Sequence, residues 1–206
     1  MPVVTTRANA GASALGWGSL VAGEELGGMV LLTPSSVSKT GTSATVGTNG
    51  TVTFSACSVL SLNGVFSAKY RNYLISASYT SNQGNPLRAR LRSSGTDDAS
   101  ANAYYRQELE TSGTSFTGSS GTNSFWEVAF IEQGTYDTAF NMYLYCPFLA
   151  DESIFRTVTQ NNANFASIRD YSGIHDVSSS FDGITFICPG AMVLTGSISV
   201  YGLVGA

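Results

Sequence analysis

Short runs in which every second residue is apolar recur along this chain, and a period of two fits the pleat of a β-strand and no helix. In "LRARLR", Leu87, Ala89 and Leu91 fall on one face while Arg88, Arg90 and Arg92 form a ladder on the other. "RNYLISASY" sends Tyr73, Ile75, Ala77 and Tyr79 to one side, "TVTFSA" does the same with Val52, Phe54 and Ala56, and "LTGSISVYG" with Ile198 and Val200. "FWEVAFIE" and "AFNMYLYC" are apolar on both faces, as central strands covered above and below, or strands facing a neighbouring subunit, would be. "IRDYSGIHDVSSSFDG" reads as a strand end, a loop and a re-entry, with Asp182-Gly183 in turn chemistry.

Gly, Asn, Ser and Pro clusters separate the runs, and Pro34, Pro86, Pro147 and Pro189 stand at their boundaries. The count is about ten strands, more than one sheet holds without curling or splitting in two. The expected fold is all-β: a jelly-roll-like antiparallel β-sandwich over residues 29–206, preceded by an extended N-terminal arm over residues 1–28. That arm is rich in Ala, Gly and Ser, and Trp17 is its one large anchor.

Charged residues make up 12% of the 206 and hydrophobic ones 43%. A surface built mainly of Ser, Thr, Asn and Gly suits a protein docked against neighbours. A net charge of -4 gives no basic footprint, so nucleic acid is excluded as a partner, and no run is long enough to insert in a membrane. All basic residues but Lys39 and Lys69 are Arg, the cation favoured at interfaces. Cys57, Cys146 and Cys188 sit in apolar or strand-like stretches and read as reduced, buried side chains.

Catalytic and metal chemistry find little support. The one His, His175, is followed by Asp176, which an extended backbone turns the opposite way, and no nucleophile elbow accompanies it. His175 is therefore expected as a loop or strand-end residue bonded to backbone. Zinc lacks paired Cys or His ligands, and Asp97 and Asp98 in "GTDDAS" lack the ligand spacing of a calcium loop and read as a solvated turn. No cofactor, no metal site and no catalytic residues are expected. Glu108 and Glu110 alternate onto one face of "YYRQELE" and are expected to oppose the Arg88, Arg90, Arg92 ladder, with Arg106 flanking. Tyr143 and Tyr145 on an outward strand face suit self-association or sugar stacking.

The stretches "NGVFSAKYRNYLISASY", "LRARLRSSGTDDASANAYYRQELE", "SGIHDVSSSFDGITF" and "LTGSISVYG" together resemble a recurrent β-sandwich module of tailed-bacteriophage virion proteins. The resemblance spans roughly residues 50 to 206 as a pattern of strands and turns and includes no catalytic motif. It implies a jelly-roll-like module, a homotrimer, and a last strand ending "VYG", as at Val200, Tyr201 and Gly202. The expected function is non-enzymatic: a trimeric capsid decoration (cement) protein of the virion, assembled in the host cytoplasm. Its partners would be its own copies and the major capsid protein or other virion proteins. The alternative is a tail fibre or tail-tip protein that attaches to a host surface glycan. Interface candidates are Trp17, Arg88, Arg90, Arg92, Tyr143, Tyr145, Leu203 and Val204, the last two packing an apolar chain end against a sister subunit or shell.

Overall fold

The computed structural model describes residues 28–112, 115–131, 134–160 and 167–204. Trp17 and the expected arm, up to its last residue, lie outside the described residues. Fourteen strands follow in chain order: β1 (Gly28–Leu32), β2 (Ser36–Val46), β3 (Val52–Asn63), β4 (Asn72–Ser81), β5 (Asn85–Ser93), β6 (Thr96–Asp97) and β7 (Tyr104–Ser112), then β8 (Ser115–Asn123), β9 (Trp126–Ile131), β10 (Gly134–Tyr145), β11 (Asp151–Gln160), β12 (Ser167–Ser179), β13 (Gly183–Ile187) and β14 (Leu194–Val204). No helix occurs among the described residues. Every pairing is antiparallel, and the strands join in the order β6-β5-β13-β3-β14-β4-β10-β11-β12-β7-β8, with β1 beside β14, β2 beside β3 and β9 beside β5.

One bend turns this single sheet into a sandwich-like body. β3 pairs with β14 over its first half, Val52 to Cys57, and with β13 over its second, Val59 to Leu62. Between the halves Ala56 takes φ 47°, and the register against β2 slips at Thr40/Gly41. Gly41 itself has φ +149°, and a Cβ there would lie 2.3 Å from the Ala56 carbonyl oxygen, so the corner admits only glycine. Past the corner, β13, β5 and β9 lie over β10, β11 and β7. Phe186 meets Phe140 at 6.0 Å between ring centroids, and Trp126 meets Phe155 at 4.7 Å and Tyr104 at 5.2 Å.

The period-two readings place the core. Tyr73, Ile75, Ala77 and Tyr79 are buried, as are Leu87, Ala89 and Leu91, Val52 and Phe54, and Ile198 and Val200. Each large side chain withdrawn from water contributes about 1.5–3 kcal/mol. Ala56 is the exception: its left-handed turn shifts the phase, so Cys57 points inward instead. Cys57 and Cys188 line an apolar cavity of about 20 Å³ beside Tyr79 and Phe140, while Cys146 is half-buried at φ 59°.

Three expectations change. The segment expected to loop within "IRDYSGIHDVSSS" is one unbroken strand, β12, held on both edges by β11 and β7. β9, read as central, hydrogen-bonds to β5 alone among the described strands and is covered by packing of Trp126 and Val128. β10 is central, between β4 and β11, but only one of its faces is covered: Phe140, Met142 and Leu144 are buried, while Tyr143 and Tyr145 are exposed.

Candidate interaction face

The inner face of the large layer is filled by the second layer, and no layer of described residues covers its outer face. Register fixes which side chains stand together there, because residues paired across antiparallel strands share a face. One row crosses all eight strands: Met29, Leu203, Asn72, Tyr145, Ile154, Ile174, Tyr105 and Thr122. The next runs Leu31, Tyr201, Leu74, Tyr143, Arg156, Ser172, Gln107 and Ser120. A third carries Asn141, Val158, Asp170 and Leu109, and beyond it Ile168 stands beside Thr111.

Eight large apolar side chains of β7, β10, β11 and β12 on this face are each 36–50% exposed: Tyr105, Leu109, Tyr143, Tyr145, Ile154, Val158, Ile168 and Ile174. At roughly 180 Å² apiece they present about 600 Å² of apolar surface, the upper end of what an ordinary monomer shows in one patch. Branched aliphatic residues at such positions suit strand formation, but water gains nothing from them. The one ion pair in the patch is Arg156 with Asp170. The carboxylate accepts from Arg156 Nη2 at 2.6 Å and from Nε at 3.2 Å, and Asp170 raises the Arg156 pKa further above its already high ordinary value.

Inside the sandwich lies a second polar constellation, engaged except at Arg106 Nε and Arg169 Nε, which have no partner. Glu108 accepts from Arg169 Nη1 at 2.7 Å, from the Tyr171 hydroxyl at 2.9 Å and from Arg106 Nη1 at 3.2 Å. Arg169 Nη2 donates to Glu110 at 2.9 Å, Arg106 Nη2 reaches Glu127 at 2.5 Å, and the Arg169 guanidinium stacks 3.8 Å over Phe130. Burial, then the Glu108 charge, raises the Tyr171 phenol, which keeps it a donor. These acids are structural pairs held between two layers, with no lone carboxyl poised over a cleft.

Asp98 and His175 meet in the interior, against expectation. His175 Nε2 lies 2.9 Å from Asp98 Oδ2, an ion pair only when the ring is protonated and not aligned as a hydrogen bond, and Nδ1 has no partner. The ring is enclosed by Tyr104 at 4.3 Å and Phe181 at 5.0 Å. Burial lowers the His175 pKa, with Asp98 opposing. For Asp98, burial raises the pKa, but hydrogen bonds from Ser100 and the His175 charge bring it below the ordinary carboxylate value. Ser153 stands opposite His175 across β11 and β12, and its hydroxyl also lacks a partner, which sets Ser, His and Asp side by side. Ser153 and His175 are both wholly buried, so no substrate reaches them in this conformation.

The "GTDDAS" segment is therefore no solvated turn. Asp98 anchors it to β12, and Asp97 accepts from Thr185 Oγ1 at 2.6 Å and pairs with Arg92 at 3.5 Å. Among the described residues no three His, Cys, Asp or Glu side chains gather as a metal ligand set.

Of the interface candidates, Tyr143 and Tyr145 lie in the outer face, and Leu203 stands on it between Met29 and Asn72. Val204 packs on the core, paired with Gly28 of β1, so the chain's own first described strand covers the apolar end. The Arg ladder is corrected. Arg92 is buried and donates to Thr185 and to the Gly95 carbonyl, Arg90 donates to the Ser124 carbonyl at 2.8 Å, and Arg88 stacks 4.2 Å over Phe125. Glu108 and Glu110 oppose Arg169 and Arg106 instead, because β7 lies between β12 and β8 and not beside β5.

No protein-family model matches this chain, and no curated protein matches it. The functional reading rests on the geometry of the face.

Proposed function

We propose that this chain is a non-enzymatic structural protein of a bacteriophage particle, a capsid decoration protein whose copies assemble with one another and with shell subunits. The observation that carries the assembly part is the largely apolar outer face of β7, β10, β11 and β12, whose two charges, Arg156 and Asp170, pair with each other. An exposed patch of that size, interleaved with small polar side chains, is the composition of an interface, with Tyr and Arg as its anchors. The phage setting comes from the resemblance of the strand and turn pattern, which also implies three copies. Many shallow contacts repeated by symmetry hold firmly even where each is weak.

The test is quantitative. In purified particles a decoration protein is present on the order of hundreds of copies, while a tail fibre reaches a few tens at most. Deleting residues 2 to 20 is expected to leave a folded, self-associating body that no longer binds shells. Full decoration by the truncated protein would overturn the role given to the arm.

A second reading, a tail-fibre or tail-tip protein holding a host surface glycan, is favoured by the exposed rings of Tyr105, Tyr143 and Tyr145, which suit stacking on sugar. A copy number in the tens, with binding to host polysaccharide abolished by Tyr143→Ala and Tyr145→Ala, selects it.

A further inference from the structure

We infer that the outer face of β7, β10, β11 and β12 is a two-fold, self-complementary contact: two copies stack face to face, and Arg156 of each meets Asp170 of the other. This rests on reading the face as an assembly surface and names its partner as a second copy of the chain.

The first argument is charge. The patch holds one cation and one anion, on neighbouring strands and one register step apart, since Arg156 pairs with Ser172 and Asp170 with Val158. A two-fold axis lying in the plane of the contact and crossing the line between them exchanges their positions, so each charge meets its opposite. Arg156 is 64% exposed at its side chain, which leaves its guanidinium able to bridge two carboxylates.

The second argument is what the same axis does to the rest of the face. Strands lie about 4.8 Å apart and same-face neighbours along a strand about 6.8 Å apart. On that grid the rotation carries Ile154 and Ile174 onto the second copy's Leu109, Tyr143 onto its Ile168, and Val158 onto its own counterpart. Apolar meets apolar at these positions, while Tyr145 falls on Thr111 and Tyr105 on Ser120, where a ring meets a small hydroxyl side chain. Strands of the two copies then cross at about 70°, nearer the orthogonal class of sheet packing than the aligned one.

The third point is area. Eight strands and three register steps span about 34 by 20 Å, and two such faces crossing at about 70° share roughly 440 Å² in projection, a small contact beside the ~800 Å² per partner of a standard interface and one that gains strength by repetition. Trimer contacts elsewhere are compatible, because a trimer carrying three such faces pairs with a second trimer. The assembled mass is an even multiple of the chain in either case.

The experiment is sedimentation and native mass spectrometry of the full chain at 1–100 µM on the order of typical assay concentrations, with Arg156→Asp, with Asp170→Arg, and with the two variants mixed. Both sites are at the surface, and circular dichroism confirms that each variant keeps its strand content. Expected is an even-numbered wild-type assembly, at least a tenfold loss of self-affinity in each single variant, and recovery on mixing as a complex containing one copy of each. An all-acidic face meets an all-basic face only across copies, so an internal role of the pair cannot give that recovery.

A wild type that is a plain trimer, single variants that associate like wild type, or a mixture that stays apart overturns the two-fold contact. If association survives the charge variants yet is lost in Ile154→Arg, the assembly reading stands and this inference falls. A wild type that is monomeric throughout and binds no shell removes both.

Discussion

Removing one hydroxyl tests how the interior is tied together. Tyr104 is wholly buried, accepts from the Leu91 amide at 3.1 Å and donates to the Asp98 carbonyl at 2.8 Å, so a single oxygen joins β7, β5 and the segment that carries Asp98 to His175. Tyr104→Phe keeps the ring, with its edge contact to Trp126 at 5.2 Å and its neighbour His175 at 4.3 Å. What is lost is two hydrogen bonds at about 1 kcal/mol each, together with the penalty of roughly 1–3 kcal/mol for leaving a buried amide unpaired. The expected loss is about 3–5 kcal/mol, which for a chain of this size lowers Tm by roughly 6–20 °C. Urea titration followed by tryptophan fluorescence measures it, since Trp126 sits against the altered ring. Hydrogen exchange at the Leu91 amide is expected to accelerate by a similar free energy. Tyr105→Phe, one residue on but on the exposed face, is the control and should change stability by less than about 0.5 kcal/mol. A Tyr104→Phe loss below about 1 kcal/mol would show that the shared oxygen does not hold the layers together.

Three further outcomes follow from other parts of the molecule. Gly41→Ala drives a Cβ into the Ala56 carbonyl at the corner of β3 and is expected to destabilise by about 2–4 kcal/mol, read as a lower urea midpoint; an unchanged midpoint would mean the corner can relax. Cys146 is half-buried and is expected to react with a disulfide reagent in the folded protein, whereas Cys188, whose thiol burial pushes up to about 12, and buried Cys57 react only on unfolding; three thiols labelled at native rates would contradict the burial. His175 has a folded pKa below its ordinary 6.5, so the unfolded chain takes up its proton first as pH falls, and stability present above 6.5 is lost progressively below it. The urea midpoint should therefore drop between pH 7.5 and 5, with a flatter profile in His175→Gln; a midpoint that rises over that window refutes the assignment.

Much of the sandwich is legible in the chain because burial acts on one strand at a time. Where one side is covered and the other wet, as in β4 and β5, alternation alone names the inward residues. β2 and β8 are not legible because "SVSKTGTSATV" and "SFTGSSGTN" carry almost no apolar period, and they are held in the sheet by backbone pairing to β3 and β7. The residues of the outer face are only half legible. Tyr143 and Tyr145 stand out as rings facing away from the core, but Ile154, Val158, Ile168 and Ile174 look like buried positions until the sheet order leaves their side uncovered. The period of Ile154, Arg156 and Val158 against Phe155 and Thr157 was the available signal, since the hydroxyls of Thr157 and Thr159 lie on the inward side. The meeting of Asp98 with His175 depends on contacts across 77 positions of chain, and no local pattern encodes it.

β14 is the last of the described strands in chain order, yet it fills a slot near the middle of the sheet, with β4 along one edge and β3 and β1 along the other. A nascent polypeptide that stops short of it leaves a gap running through the large layer, with the unpaired amides of β4 and β3 exposed on either side. Folding to a closed body must wait until that final segment has been synthesised, and it then proceeds through distant pairings that form slowly. A partial chain would thus present an open layer until β14 has been made.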